Sequence, residues 1–441
     1  MVSSFFTDGL AVVLVLGVMI FVHELGHFIA AKEFGVRVLV FSLGFGKRLF
    51  GFRKGGTDYR VSILPLGGYV KMAGDDPSKP LEGDPGEFLA RPRWQRFVIV
   101  FMGPLMNVLM ALVLLAGLYR YHFEKPAYME EPARVGDVEV DSPAAQAGLA
   151  PGDRIVRLDG IQNPNWEDLV LKILTSAGEA LPLNVARRGQ SLRLTLTPQA
   201  KGRDQTGYAG WYPYIAGVVA AVEPGFPASQ AGLRPGDQIV GVDGRRILCA
   251  PRVAYALQKG QGKPVALTIL REGREFQAQL KPVYAETGGE KLWRIGVSFH
   301  NGLVVRRLPW GQAITASVQD SFRNSMVTFD AIGKILTRRM SPRSLSGPIS
   351  IAQMSGEAYR AGLPALLMLV SFISLQLGIF NLLPIPILDG GVILLLLIEG
   401  AMRRDLSLRV KERVIQVGLV LLLLLAVMVM YNDIVKTLKP Y

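Results

Sequence analysis

The 441-residue sequence predicts a polytopic α-helical membrane protein that carries an α+β insert. Three observations lead there. Half of the residues are hydrophobic and mean hydropathy is +0.29, high for a chain that lives wholly in water. The apolar residues gather near the two ends in blocks of about 20, the length a helix needs to cross a bilayer. Between them lies a stretch with the composition of a soluble protein and an internal repeat.

Four segments have the length and apolarity of spans: Phe5 to Ala31, Phe97 to Leu118, Leu363 to Leu383 and Val414 to Tyr431. The first run lacks a basic leader and an evident cleavage site, so it reads as a retained span within a 1–33 segment. The apolar patch Val392–Ile398 is too short to cross and reads as a dipping element within a loop over 392–413. Lys47, Arg48, Arg53, Lys54, Arg91, Arg93 and Arg96 lie in the 34–96 loop. Arg403, Arg404, Arg409, Lys411 and Arg413 follow the third span. Positive charge marks cytoplasmic loops, which puts both termini and the long insert outside, in the periplasm of a two-membrane bacterium. The net charge of +13 fits the same account, through loops and anionic headgroups of the membrane lipids. No nucleic-acid-binding pattern accompanies it. The single cysteine, Cys249, excludes an intrachain disulfide and a thiolate metal site.

The insert contains SPAAQAGLAPGDRIVRLDG from Ser142 and FPASQAGLRPGDQIVGVDG from Phe226, about two-thirds identical. Each copy predicts a short helix ending on Ala-Gly-Leu, a Pro-Gly-Asp turn, an Ile-Val strand and an Asp-Gly turn. A helical stretch and a hairpin turning at Arg-Gly or Glu-Gly follow. These copies resemble PDZ domains of the kind found in bacterial proteases, expected over 127–200 and 213–284. PDZ domains bind extended peptides or chain termini at a sheet edge. A role as spacer or steric plug fits the sequence as well. From 301 to 362 basic residues alternate with Trp310, Phe322, Phe329 and Ile335, as in helices lying on a membrane surface.

The chemistry concentrates in His23-Glu24-Leu25-Gly26-His27, inside an apolar helix. Histidines four apart share one helical face and can ligate one metal. The intervening glutamate suits a general base acting on water at that metal. Ionisable groups in a membrane helix are costly unless they serve a polar site. A catalytic zinc site usually takes a third protein ligand. His122 and His300 fall on the opposite side of the membrane in this topology. Asp389 stands out, in Asn381-Leu-Leu-Pro-Ile-Pro-Ile-Leu-Asp-Gly-Gly391, where prolines and glycines break the helix at the depth the first span reaches near His27. Asp405 and Glu399 are alternatives. Tyr59–Met72 alternates like strands around a Pro/Gly turn, offering an edge for an extended substrate or a hairpin that only packs under the helices.

HELGH, the distant NLLPIPILDGG and the repeats between them together resemble the site-2 protease family of intramembrane metalloproteases, in its bacterial sigma-E-regulating branch with tandem PDZ domains. LGFGK (43–47), PLGGYVKM (65–72), GPLMN (103–107) and SGPISI (346–351) extend the likeness along the chain. The resemblance implies Zn2+ held by His23, His27 and Asp389, with Glu24 as base. It implies substrate contacts from Asn381 and the Pro384/Pro386 stretch, beside those expected of Gly67, Gly68 and Tyr69. It further implies an inner-membrane enzyme acting on a single-pass protein already trimmed by another protease, such as an anti-sigma factor or a residual signal peptide. The PDZ pair would then exclude bulky ectodomains or bind the new terminus. A catalytically silent PDZ scaffold is the rival reading.

Overall fold

The computed structural model describes residues 2–76, 81–129, 131–202, 205–287, 290–300, 303–345 and 347–438. Asn301, where the expected surface region begins, and Ser346 of the SGPISI stretch lie outside them. The chain divides into two units. Met1–Phe123, Arg307–Phe329 and Leu345–Tyr441 form the first, and Glu124–Arg306 with Asp330–Ser344 the second.

The first unit is built on helices α1 (Val2–Glu33), α2 (Arg93–Tyr121), α3 (Trp310–Leu336, which runs on into the second unit), α4 (Pro348–Ala361), α5 (Leu363–Asn381), α6 (Asp389–Met402) and α7 (Leu408–Leu438). Among the described residues, four of them (α1, α2, α5 and α7) are long and apolar enough to cross a membrane. Val15 and Met19 of α1 meet Val370 of α5, with Met110 and Leu114 of α2 against them. Serine hydroxyls stitch α5 to α2: Ser371 donates to the Ala111 carbonyl at 2.9 Å and Ser374 to the Asn107 carbonyl at 2.8 Å. Such bonds satisfy polar side chains where water is scarce. Helix α7 is held at its ends instead. Lys411 pairs with the buried Glu399 at 2.7 Å. Asp433 accepts from the backbone N–H groups of Gly347, Ile349 and Ser350 and so caps α4.

Two expectations for this unit need correction. The third span ends at Asn381 rather than Leu383, and 392–402 is not loop. Helix α5 stops at Asn381 and α6 starts at Asp389. Pro384 and Pro386 lack the N–H groups a continuous helix needs, so the chain breaks and restarts. The hairpin is also longer than expected. Strands β1 (Val38–Lys54) and β2 (Thr57–Met72) turn at Gly55-Gly56, and the Pro65–Gly68 stretch is a bend within β2. Both strands fold over, so that 40–43 lies between 58–61 and 68–72 of its partner.

The second unit contains the repeat twice, 84 residues apart. In the first copy the strands Ile161–Gln162, Arg154–Leu158, Leu181–Arg187 and Gln190–Leu196 form one sheet in that order. In the second, Arg245–Arg246, Gln238–Val242, Val265–Arg271 and Arg274–Leu280 do the same. Helices Pro143–Gln146 and Trp166–Thr175, then Pro227–Gln230 and Pro251–Gly260, complete the two copies. The repeated Pro-Gly-Asp explains itself. Asp153 is fully buried and receives Arg187 at 2.7 and 2.8 Å; Asp237 receives Arg271 at 2.6 and 2.7 Å. Such burial requires a partner for the charge.

The expected limits of 127–200 and 213–284 are too short for these copies. Trp211–Pro213 pairs with Val135–Val138 of the first copy, and Val297–Phe299 with Val219–Val222 of the second. Ala209 and Ile295, just before these strands, sit in the two cores. Pro213 therefore closes the first copy rather than opening the next.

Candidate metal centre

Helix α1 puts His23 and His27 on the face that α2 covers, and both are buried. The break after α5 brings Asp389, the first residue of α6, to the same point. Its Oδ2 lies 3.1 Å from His23 Nε2 and its Oδ1 3.6 Å from His27 Nε2, and the two Nε2 atoms are 3.2 Å apart. A tetrahedral ion with bonds of about 2.0–2.1 Å spaces its ligand atoms by about 3.3 Å. The Nε2–Nε2 separation and the His23–Oδ2 distance match that spacing, one ligand atom from each of the three residues lies within 4.8 Å of the others, and two imidazoles with one carboxylate are donors that zinc accepts. Among the described residues, this is the group of His, Cys, Asp and Glu side chains arranged to hold a metal.

Glu24 follows His23 on α1, half-buried. Strand β2 passes close beside it. Gly68 makes that approach possible: a Cβ there would stand 2.8 Å from the Ser42 carbonyl oxygen and 3.4 Å from Glu24 Cγ. The 68–72 stretch thus runs past Glu24 while its other side pairs with 38–43. Neighbouring Tyr69 stacks on Phe45, centroids 5.9 Å apart, and accepts a hydrogen bond from Arg60. Gly67 is buried against the Phe45 ring.

Asn381 ends α5, and Pro384 and Pro386 lie in the turn that leads to Asp389. Pro386 supports α7 through a close contact at Gly418. Ile387, between the prolines and the carboxylate, has φ of +86°. A β-branched residue there is strained by about 1–3 kcal/mol and persists only where its surroundings enforce it.

Neither alternative carboxylate joins the cluster. Glu399 is taken by Lys411 and by the Leu406 N–H at 3.0 Å, and Asp405 pairs with Arg93 at 2.9 Å. His122 follows α2 about 22 Å beyond Asn107 at 1.5 Å per residue, and His300 belongs to the second unit.

Three residues of α2 also touch the histidines. The Ile99 carbonyl lies 2.8 Å from His27 Nδ1, and Asn107 Nδ2 lies 3.2 Å from His23 Nδ1. A Cβ on Gly103 would lie 2.3 Å from His27 Nε2. Of these, only Asn107 had a sequence signal, a polar residue in an apolar span. A main-chain acceptor and an absent side chain leave none.

The sequence matches the model for peptidase family M50 over residues 11–425. A protein of Treponema pallidum described as a putative zinc metalloprotease is 34% identical, over 96% of this chain and 97% of its own length. The regulator of sigma-E protease RseP of Escherichia coli is 34% identical, over 98% and 99%. A putative zinc metalloprotease of Neisseria meningitidis is 33% identical, over 97% and 99%. Among solved structures, the PDZ domain of an SdrC-like protein from Listeria monocytogenes is similar over 19% of this chain and 87% of its own, at 21% identity and a TM-score of 0.18. The chain belongs to peptidase family M50, the site-2 proteases, and is a zinc metallopeptidase.

Proposed function

We propose that this protein hydrolyses a peptide bond in or beside the transmembrane segment of a single-pass membrane protein, with His23, His27 and Asp389 holding zinc and Glu24 as the base. The convergence of His23, His27 and Asp389, one ligand atom of each within 4.8 Å of the others, carries the reading. Zinc bound there supplies a Lewis acid that acidifies water and polarises a carbonyl. Glu24 accepts the proton of the attacking water and passes it to the leaving amine.

A helical substrate shields its peptide bonds, so it must be drawn out before it is cut. The 68–72 edge supports an extended strand beside Glu24, with Gly67 and Gly68 allowing close approach and Tyr69 flanking it. Asn381, Pro384 and Pro386 contact the unwound segment as well. The two repeats act as PDZ domains, passing substrates without bulky ectodomains or binding a freshly cut terminus.

Relatives named as regulators of sigma-E protease support a place in sigma-E signalling in the inner membrane, with an anti-sigma factor trimmed by an earlier protease as substrate. Residual signal peptides are a second class. The positive loops favour a site towards the cytoplasm and repeats in the periplasm.

The test uses purified full-length protein, a single-pass model substrate and metal analysis. Glu24→Gln should lose cleavage and keep its zinc, whereas Asp389→Ala should lose both. Parental cleavage by Glu24→Gln, or full zinc in Asp389→Ala, overturns the assignment.

A further inference from the structure

We infer that Asn107 is a positioning residue for zinc: its side-chain oxygen accepts the Nδ1 proton of His23 and leaves the Nε2 lone pair free for the metal. This rests on His23 being a ligand, as proposed above.

A neutral imidazole carries one proton. If Nε2 binds a cation, the proton must sit on Nδ1, and whatever faces Nδ1 must accept it. His27 already satisfies this condition, because its Nδ1 faces the Ile99 carbonyl oxygen at 2.8 Å and a carbonyl can only accept. His23 Nδ1 faces the Asn107 amide at 3.2 Å. In the assigned orientation the amide nitrogen points at the ring and the amide oxygen is buried without a partner. The two amide orientations have nearly the same shape, and the hydrogen-bonding network decides between them. Turning the amide brings the oxygen to Nδ1, which makes His23 the same kind of donor as His27. With the nitrogen facing the ring, Nδ1 must accept, the proton moves to Nε2 and the lone pair is lost to the metal.

The amide is well placed for this task. Asn107 is fully buried, and its own carbonyl is fixed by the Ser374 hydroxyl at 2.8 Å. The side chain therefore springs from backbone that α5 clamps. Helix α2 thus sets both imidazoles, one through its main chain and one through a side chain that mutation can remove.

The experiment measures zinc affinity of detergent-purified full-length protein by chelator competition, for the parent, Asn107→Leu, Asn107→Asp and His23→Ala. Leucine keeps the volume and removes the acceptor; aspartate keeps the acceptor and removes the donor. Asn107→Leu should bind zinc about 10–100-fold more weakly, and Asn107→Asp should stay much closer to the parent. Parental affinity in Asn107→Leu overturns the inference, as does equal weakening in both variants. Where Asn107→Asp does not fold, the zinc-loaded parent and Asn107→Leu are compared with 15N-labelled histidine, of which the chain has four. The His23 Nδ1 proton should move upfield when its acceptor is gone, and an unmoved resonance overturns the inference. His23→Ala separates the two levels. If it binds zinc like the parent, the ligand assignment itself fails. If it loses zinc while Asn107→Leu does not, only the role of Asn107 fails.

Discussion

Gly103→Ala adds one methyl group to α2 and should disable the site. An alanine in place of a helical glycine ordinarily stabilises a helix by about 1 kcal/mol. Here the new Cβ would stand 2.3 Å from His27 Nε2, 2.4 Å from His27 Cε1 and 3.0 Å from His23 Cε1. Ordinary contacts lie near 3.5–4.0 Å, so the rings or the helices must separate by about 1 Å or more. The rings have little freedom, since both ring nitrogens of each histidine are engaged. The helices have little either, because Gly26 of α1 already presses on the Met102 carbonyl, where a Cβ would lie 2.3 Å away. A misplacement of about 1 Å at reacting groups costs on the order of 100-fold in rate. We therefore expect Gly103→Ala to lose most of its zinc and at least that factor in turnover. Gly117→Ala is the control: it lies on the same helix, and its Cβ would meet nothing within 4 Å. Metal analysis and cleavage of a single-pass substrate, run side by side, check the prediction. Full zinc with turnover within threefold of the parent in Gly103→Ala would refute the packing argument.

Gly68→Ala should give the opposite pattern, with turnover reduced about tenfold or more and zinc retained, because its Cβ displaces the strand beside Glu24 and no ligand; loss of zinc in this variant would contradict the geometry. Hydrogen bonds from Arg271 hold the Asp237 carboxyl below its ordinary range, against the upward push of burial. That contribution to stability is complete above the unfolded carboxylate value, about pH 4, and is lost as pH falls through the folded one. Denaturation midpoints should therefore drop below about pH 4 in the parent and drop less in Asp237→Asn. Burial pushes the Cys249 thiol up to about 11, so maleimide at pH 8 should label it only after denaturation; rapid labelling of the native protein would show that the second repeat opens there.

Much of the architecture was legible because it follows from short-range patterns. Spans are set by apolar length, and His23 and His27 share a face through the helical period alone. The repeat announced its own turns, and Arg187 and Arg271 could have been found as equivalent residues each 34 positions after the buried aspartate. What escaped depends on contacts between distant segments. Trp211–Pro213 and Val297–Phe299 are short strands with no periodicity to read, and only pairing reveals which copy each one closes. Helix α6 was hidden because its apolar run is too short to cross a bilayer, though long enough for a helix. The Gly55-Gly56 turn lost to the Pro/Gly bend, since both carry turn residues and only the register separates them.

The distance in sequence between the two halves of the metal centre has a consequence in time. Asp389 is synthesised about 360 residues after His23 and His27. At synthesis rates of about 5–20 residues per second, the histidines wait some 20–70 s for their carboxylate. During that interval the nascent chain holds an incomplete donor set, with the opening helix already made. For the donor set proposed above, delivery of Asp389 by the α5–α6 break therefore also works as a timer for metal binding.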